Sequence, residues 1–341
     1  MSRRGMTLVE MLVAVTATLL IMAAVAQAFS AFGSAISGGR SVLELDARMR
    51  TAAWRLRNDL AGATARPVPP LNPAAGEGYL EIIEGPATDY RTTGLVMTTG
   101  TTVSGDHDDA LLLTTRSQET PFIGRAPGTG SAIDDTFEST LAEVCWFARA
   151  TPATANPVTY TLYRKQMLVM GYVGTDPFTT ARGNTLPWAA IGGSWSGYFN
   201  SPCDVSARLE LTSSGTTLYP NTLADLTRRE NRFLHNPAGV TGMTNYPFEF
   251  AGGNHQSTTP TDGLFFDTAQ RQGEDVVLTN VLSFDVRVFD PGVPVYATVN
   301  GSALVPGDPG FTNSPVASGG YVDLGHGIGR ASCRERVYLC V

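Results

Sequence analysis

The first forty residues carry the clearest pattern of apolar and polar positions in the chain. No charged residue occurs between Met11 and Gly39, and Met11–Phe32 already covers 22 residues. A helix of that length spans about 33 Å at ~1.5 Å per residue, which is enough to cross a hydrocarbon core about 30 Å thick. The pattern therefore predicts a transmembrane helix over residues 11–32.

The helical pattern continues beyond this predicted span. Apolar residues recur at steps of three and four, and charged residues, including Asp59, fall mainly on the other faces. We expect one long helix over residues 6–64, ended by Arg66-Pro-Val-Pro-Pro70. Gly33 and Gly38-Gly39 predict a kink or local melting within it. The packing stripe of the outer half is Val42, Leu45, Met49, Ala53, Leu56 and Leu60.

After a Pro-rich linker at residues 65–78, the apolar period changes from about 3.6 to two. Alternation of this kind predicts antiparallel strands. Two long polar stretches, Gly171–Pro202 and Ser213–Asp262, are predicted to be loops. The fold class is thus α+β, with a long helix packed on an antiparallel sheet and a β-rich domain at residues 79–327. The candidate strands are Tyr79–Ile83, Gly94–Thr98, Ala110–Thr115, Leu141–Ala148, Val158–Tyr163, Ala207–Leu211 and Val276–Phe289.

A short basic leader, Met1-Ser-Arg-Arg-Gly5, precedes the apolar run, and Glu10 lies five residues after its glycine. This order resembles the class III signal of type IV pilins and type II secretion pseudopilins. The resemblance implies that prepilin peptidase removes residues 1–5 by cutting between Gly5 and Met6, and that Met6 becomes N-methylated. It also implies a pilin-like fold, anchored in the inner membrane by a single span.

Glu10 has a physical role in this scheme, because an acid at the edge of an apolar run is costly in lipid without a partner. The resemblance implies that its partner is the amino group of a neighbouring subunit's Met6. Pairing two opposite charges offsets much of the cost of burying each one. Arg3 and Arg4 would keep the amino end in the cytoplasm by the positive-inside rule, which places the β-rich domain in the periplasm.

Three later segments extend the resemblance to the J-type minor pseudopilin and the W-type minor pilin. They are Arg55–Leu60, Val158–Arg164 and Leu278–Arg287. The implied function is a non-catalytic structural subunit of a pseudopilus or pilus, whose partners are other subunits, prepilin peptidase and the inner membrane. Two alternatives stay open: a minor pilin for DNA uptake, and a membrane-tethered periplasmic enzyme.

The net charge of the chain and its polar motifs bear on the DNA-uptake and enzyme alternatives. The net charge of −7 argues against nucleic acid as a partner, and no motif in the chain indicates a cofactor or a metal centre. Gly105–Asp109 gathers three acids around His107. We interpret it as a solvated loop, and a calcium site is the alternative. The histidines are scattered and match no catalytic motif.

The cysteines and the last residues complete the sequence picture. In an oxidising periplasm Cys145 and Cys203 are candidates for a disulfide, but sequence alone does not show that they meet. Residues 328–341 differ in composition from the acidic body, and Ile328–Val337 looks like an in-frame translation of a sequencing adaptor. We therefore expect this tail, with its Cys333 and Cys340, to be non-native and exclude it from function.

Overall fold

The computed structural model describes ten stretches of the chain, and the account below concerns these residues. They are 7–66, 76–83, 109–126, 135–150, 159–170, 204–212, 215–233, 275–297, 303–305 and 315–322. The predicted leader, the predicted strand Gly94–Thr98, the predicted loop Gly171–Pro202 and the tail at 328–341 lie outside them. The chain divides into two compact units, Met1–Trp54 and Arg55–Val341.

A single helix, α1, runs from Leu8 to Ala61, close to the predicted bounds. It is long and apolar enough, by length and composition, to cross a membrane near the N-terminus of the chain. Helical structure continues through Gly33, Gly38 and Gly39, so the predicted local melting is wrong. Each glycine costs the helix about 1 kcal/mol relative to alanine. A helix of 54 residues continues through such positions because, once started, it gains one backbone hydrogen bond for each residue added.

An antiparallel sheet of five strands forms the centre of the second unit. The strands lie in the order β1-β2-β5-β6-β9, and every neighbouring pair is antiparallel. Helix and sheets together confirm the α+β class. The strands of this sheet are β1 (Leu80–Ile83), β2 (Ala110–Arg116), β5 (Leu141–Ala150), β6 (Tyr160–Leu168) and β9 (Val276–Val281).

Smaller sheets surround the central one. Two hairpins pair β3 with β4 and β7 with β8, and a three-stranded sheet has the order β11-β10-β12. Only β7 and the start of β10 fall within predicted strands. The smaller-sheet strands are β3 (Phe122–Ala126), β4 (Asp135–Ser139), β7 (Ala207–Thr212), β8 (Gly215–Pro220), β10 (Val288–Ala297), β11 (Ala303–Leu304) and β12 (Ala317–Val322).

The segment predicted as the loop Ser213–Asp262 is structured in its first part. It contains β8, a short helix α2 (Leu223–Leu226) and a 3-10 turn (Arg229–Asn231). The prediction was therefore wrong for residues 215–231. A Thr222–Asp225 capping box starts α2, so polar residues that resemble a loop in sequence serve here as helix caps.

The predicted strand Val276–Phe289 is two strands. β9 ends at Val281. Inside β9 the backbone of Asn280 has a φ of 59°, and the register with β6 shifts between Leu278 and Val281. β10 begins at Val288 and pairs with β12. Of the apolar residues that alternate in this segment, Val286 and Val288 are buried as predicted, whereas Leu282 is 54% exposed.

The core lies on both faces of the central sheet. Leu111, Leu112 and Leu113 on β2 are successive and all fully buried, although successive side chains point to opposite faces. One face carries Leu112 and Cys145 in a cluster with Leu218 of β8 and Leu226 of α2. The opposite face carries the end of α1, described below.

Candidate assembly site

The helix starts with a capping box made by Thr7 and Glu10. The Thr7 amide and hydroxyl donate to Glu10 Oε2 at 2.9 and 3.0 Å. The Glu10 amide donates in return to Thr7 Oγ1 at 3.3 Å. Reciprocal bonds of this kind satisfy amides that an isolated helix end leaves without partners. They hold the Glu10 carboxylate, which is exposed, at the first turn of α1.

Glu10 therefore lies at the mouth of the apolar helix, as the sequence predicted. Gly5 and Met6 lie outside the described residues, so cleavage between them, methylation of Met6 and pairing of its amine with Glu10 stay predictions. Sequence reasoning missed Thr7. The Thr-x-x-Glu spacing of residues 7–10 is the signal that identifies it.

The apolar side chains of α1 are exposed along the part of the helix that is predicted to span a membrane. None of its most apolar window of 18 residues is buried. Leu20, Phe29 and Phe32 are 72%, 72% and 67% exposed. Soluble proteins seldom expose a continuous apolar surface of this size, whereas lipid or other apolar helices would cover it. Further along, the predicted packing stripe is also exposed at Val42, Leu45 and Met49.

Asp59 fixes the end of α1 to the central sheet. Arg164 of β6 donates from Nε to Asp59 Oδ2 at 2.8 Å and from Nη2 to Oδ1 at 2.7 Å. The Trp146 indole of β5 also donates to Oδ2, at 2.8 Å. The Asp59 side chain is 5% exposed and that of Arg164 is 15% exposed. Asp59 was predicted on a face other than the packing stripe, yet its side chain is buried. This burial is possible because Arg164, 105 positions further along the sequence, supplies the opposite charge.

The backbone continues this connection after the helix ends. Gly62 accepts a hydrogen bond from the Arg116 amide at 2.7 Å, and the Thr64 amide donates to Thr114 at 2.9 Å. A Cβ at Gly62 would overlap the Arg116 carbonyl oxygen and Thr115 Oγ1, so this close approach requires glycine. The helix terminus and β2 are thus joined by backbone and side-chain bonds.

Glu143 is a second charged centre, on the opposite face of β5. Its carboxylate accepts hydrogen bonds from Tyr79 Oη at 2.5 Å, Ser206 Oγ at 2.5 Å and the Phe233 amide at 2.8 Å. Burial and the nearby Glu143 charge raise the pKa of Tyr79 well above its usual value of 10.0. The tyrosine therefore stays neutral and donates to the carboxylate. No sequence pattern indicated this buried cluster.

The remaining candidate residues divide between described and undescribed parts of the chain. Asp109 is buried, and its Oδ2 accepts from the Val286 amide at 2.6 Å, so it is not part of a solvated loop. The rest of the Gly105–Asp109 segment, all four histidines and Cys203 lie outside the described residues. Cys145 is buried in β5, and its pairing with Cys203 stays a prediction. Within the described residues, no group of three or more His, Cys, Asp or Glu side chains has the arrangement of a metal site.

Comparisons of the chain with known protein families, with curated proteins and with solved structures found no match.

Proposed function

We propose that the protein is a minor pilin or pseudopilin: a structural subunit of a type II secretion pseudopilus or a type IV pilus. In this proposal α1 spans the inner membrane, and the β-rich domain lies in the periplasm. The subunit enters the fibre through its N-terminal helix. The proposal rests on the exposed, charge-free surface of α1, which begins directly after one acid at the first helical turn.

Each part of that surface has a physical role in assembly. Before assembly, lipid covers the apolar side chains of residues 11–32; in the fibre, the helices of neighbouring subunits replace the lipid by close packing. Cutting after Gly5 would create a charged amine at Met6. Two opposite charges in an apolar environment are each costly alone, so the Glu10 carboxylate favours positions where a neighbour's amine lies within reach.

The capping box supports this role for Glu10. Thr7 orients the carboxylate at the start of the helix, which reduces the conformational entropy that pairing must overcome. At the other end, Asp59 and Gly62 connect the helix to the sheet through short bonds. A load applied to the helix in a fibre would pass directly into the central sheet.

Substitution of Glu10 tests the proposal. The Glu10→Ala variant should insert in the membrane and fold normally, because the span needs no acid to enter lipid. Its incorporation into the fibre should fall at least tenfold, since a neighbour's amine loses its partner at a cost of roughly 3 kcal/mol. The measurement is co-purification with fibre subunits, normalised to the amount of protein in the membrane fraction.

Glu44→Ala is the matched control. Glu44 is an exposed glutamate of the same helix, paired with Arg48 four residues later, and surface pairs of this kind contribute little. The control should incorporate like the unmodified protein. Normal incorporation of Glu10→Ala would show that the acid has no part in assembly and would contradict the proposed mechanism.

A further inference from the structure

Residues Asn221–Phe233 form a compact loop whose two ends meet at one carboxylate. At the first end, Asn221 Nδ2 donates to Ser206 Oγ at 3.0 Å, and Ser206 Oγ donates to Glu143 Oε2 at 2.5 Å. At the second end, the Phe233 amide donates to Glu143 Oε1 at 2.8 Å. Surface loops of this length with close ends and their own internal packing are Ω-loops. We call this segment the Glu143 loop.

The Glu143 loop is extensively bonded within itself. Arg232 donates from Nε and Nη2 to the carbonyl oxygens of Leu226 and Thr227, both at 2.9 Å. Asn231 Nδ2 donates to the Asp225 carbonyl at 2.9 Å, and Asn221 Nδ2 donates to the Asn231 carbonyl at the same distance. These bonds do not depend on the rest of the domain, so the loop keeps its shape as one body.

Charged side chains make much of the contact between the loop and the sheet. Glu81 of β1 accepts from Arg229 Nε and Arg232 Nη1, each at 2.8 Å. The Arg232 guanidinium lies 4.2 Å from the centre of the Tyr79 ring, and the Tyr79 hydroxyl donates to Glu143. Leu226 and Phe233 are buried in the same apolar cluster as Tyr79.

We propose that the Glu143 loop is a lid, which opens as one body and is latched by the charge of Glu143. The Glu143 carboxylate accepts hydrogen bonds from the Tyr79 hydroxyl, the Ser206 hydroxyl and the Phe233 amide, and the last two link the ends of the loop to β5. A neutral glutamine has one acceptor oxygen instead of two and lacks the charge that strengthens these bonds, so the latch weakens. Opening would uncover the apolar surface beneath Leu226 and Phe233. This inference does not depend on the proposed function.

Hydrogen exchange of the full chain in detergent micelles at pH 7 tests the proposal. In the unmodified protein, amides of residues 222–233 should exchange together and faster than those of β5 and β6, because they open without the sheet. In Glu143→Gln, the protection factors of the loop should fall at least tenfold relative to the unmodified protein, while those of β5 and β6 change less than twofold. Exchange of loop and sheet as one unit in either protein would overturn the proposal, as would an unchanged loop in the variant.

Two further variants keep the test decisive. Glu138→Gln alters an exposed glutamate on β4 and should leave every protection factor unchanged. If Glu143→Gln does not fold, Glu81→Gln takes its place, because Glu81 holds the outer side of the loop through Arg229 and Arg232. Glu81→Gln should lower loop protection at least threefold without affecting β5. A change that includes the sheet, or no change in the loop, would overturn the proposal.

Discussion

The two units of the chain use apolar side chains in opposite ways. In Met1–Trp54, large apolar residues such as Leu20 and Phe29 are more than two-thirds exposed. In Arg55–Val341, Leu111, Leu112 and Leu113 are fully buried. The first unit has an apolar surface that lipid or other helices would cover, whereas the second supplies its own core. Apolar side chains therefore serve two different surroundings within one chain.

Charged side chains show the same contrast. On the exposed part of α1, Asp46 pairs with Arg50 at 2.9 Å, with the two side chains 53% and 79% exposed. Asp59 pairs with Arg164 at a similar distance, but both side chains are largely buried. The exposed pair is hydrated and contributes little. The buried pair cannot lose one member without leaving an uncompensated charge.

The largest expected effect is therefore at Asp59. We expect Asp59→Ala to lower the free energy of unfolding by about 3 kcal/mol, because Arg164 and the Trp146 indole both lose their acceptor. Urea unfolding of the full chain in detergent micelles, followed by Trp fluorescence, measures this loss. Asp46→Ala, in the same helix, should change the value by less than about 0.5 kcal/mol. Equal effects at the two positions would contradict the contrast.

A smaller effect is expected from adding a methyl group to glycine. Gly62→Ala should cost about 1–3 kcal/mol, because its Cβ overlaps backbone and side-chain atoms of β2. Gly33→Ala meets nothing within 4 Å and favours the helix by roughly 1 kcal/mol. The same urea titration should show a lower midpoint for Gly62→Ala alone. A midpoint unchanged by Gly62→Ala would mean that the helix end and β2 are not in the close contact described.

The sequence predicted the features that depend on local pattern. The helix was predicted at residues 6–64 and runs from Leu8 to Ala61, because a long apolar run and the prolines after Arg66 define its ends. Four of the five central strands were located from short apolar or alternating runs in the sequence. The fifth, β9, was predicted too long, because the alternating pattern of residues 276–289 does not show that pairing changes from β6 to β12.

Features that depend on distant residues were missed. The stripe through Val42, Met49 and Leu56 predicts a packing face, but sequence does not say which molecule packs there. Leu56 is buried, while Val42 and Met49 are exposed. Likewise, Asp59 and Glu143 resemble surface acids until Arg164, Tyr79 and other donors from distant segments are brought beside them.

The mass of the mature amino terminus tests the central claim most directly. If the chain is a pilin-like subunit, prepilin peptidase cuts between Gly5 and Met6. Mass spectrometry of the protein purified from membranes should then find an N-terminal peptide that begins at Met6, carries an N-methyl group and retains Glu10. A mature chain that begins at Met1, or near Ala28 as an ordinary signal peptidase would leave it, would contradict the account.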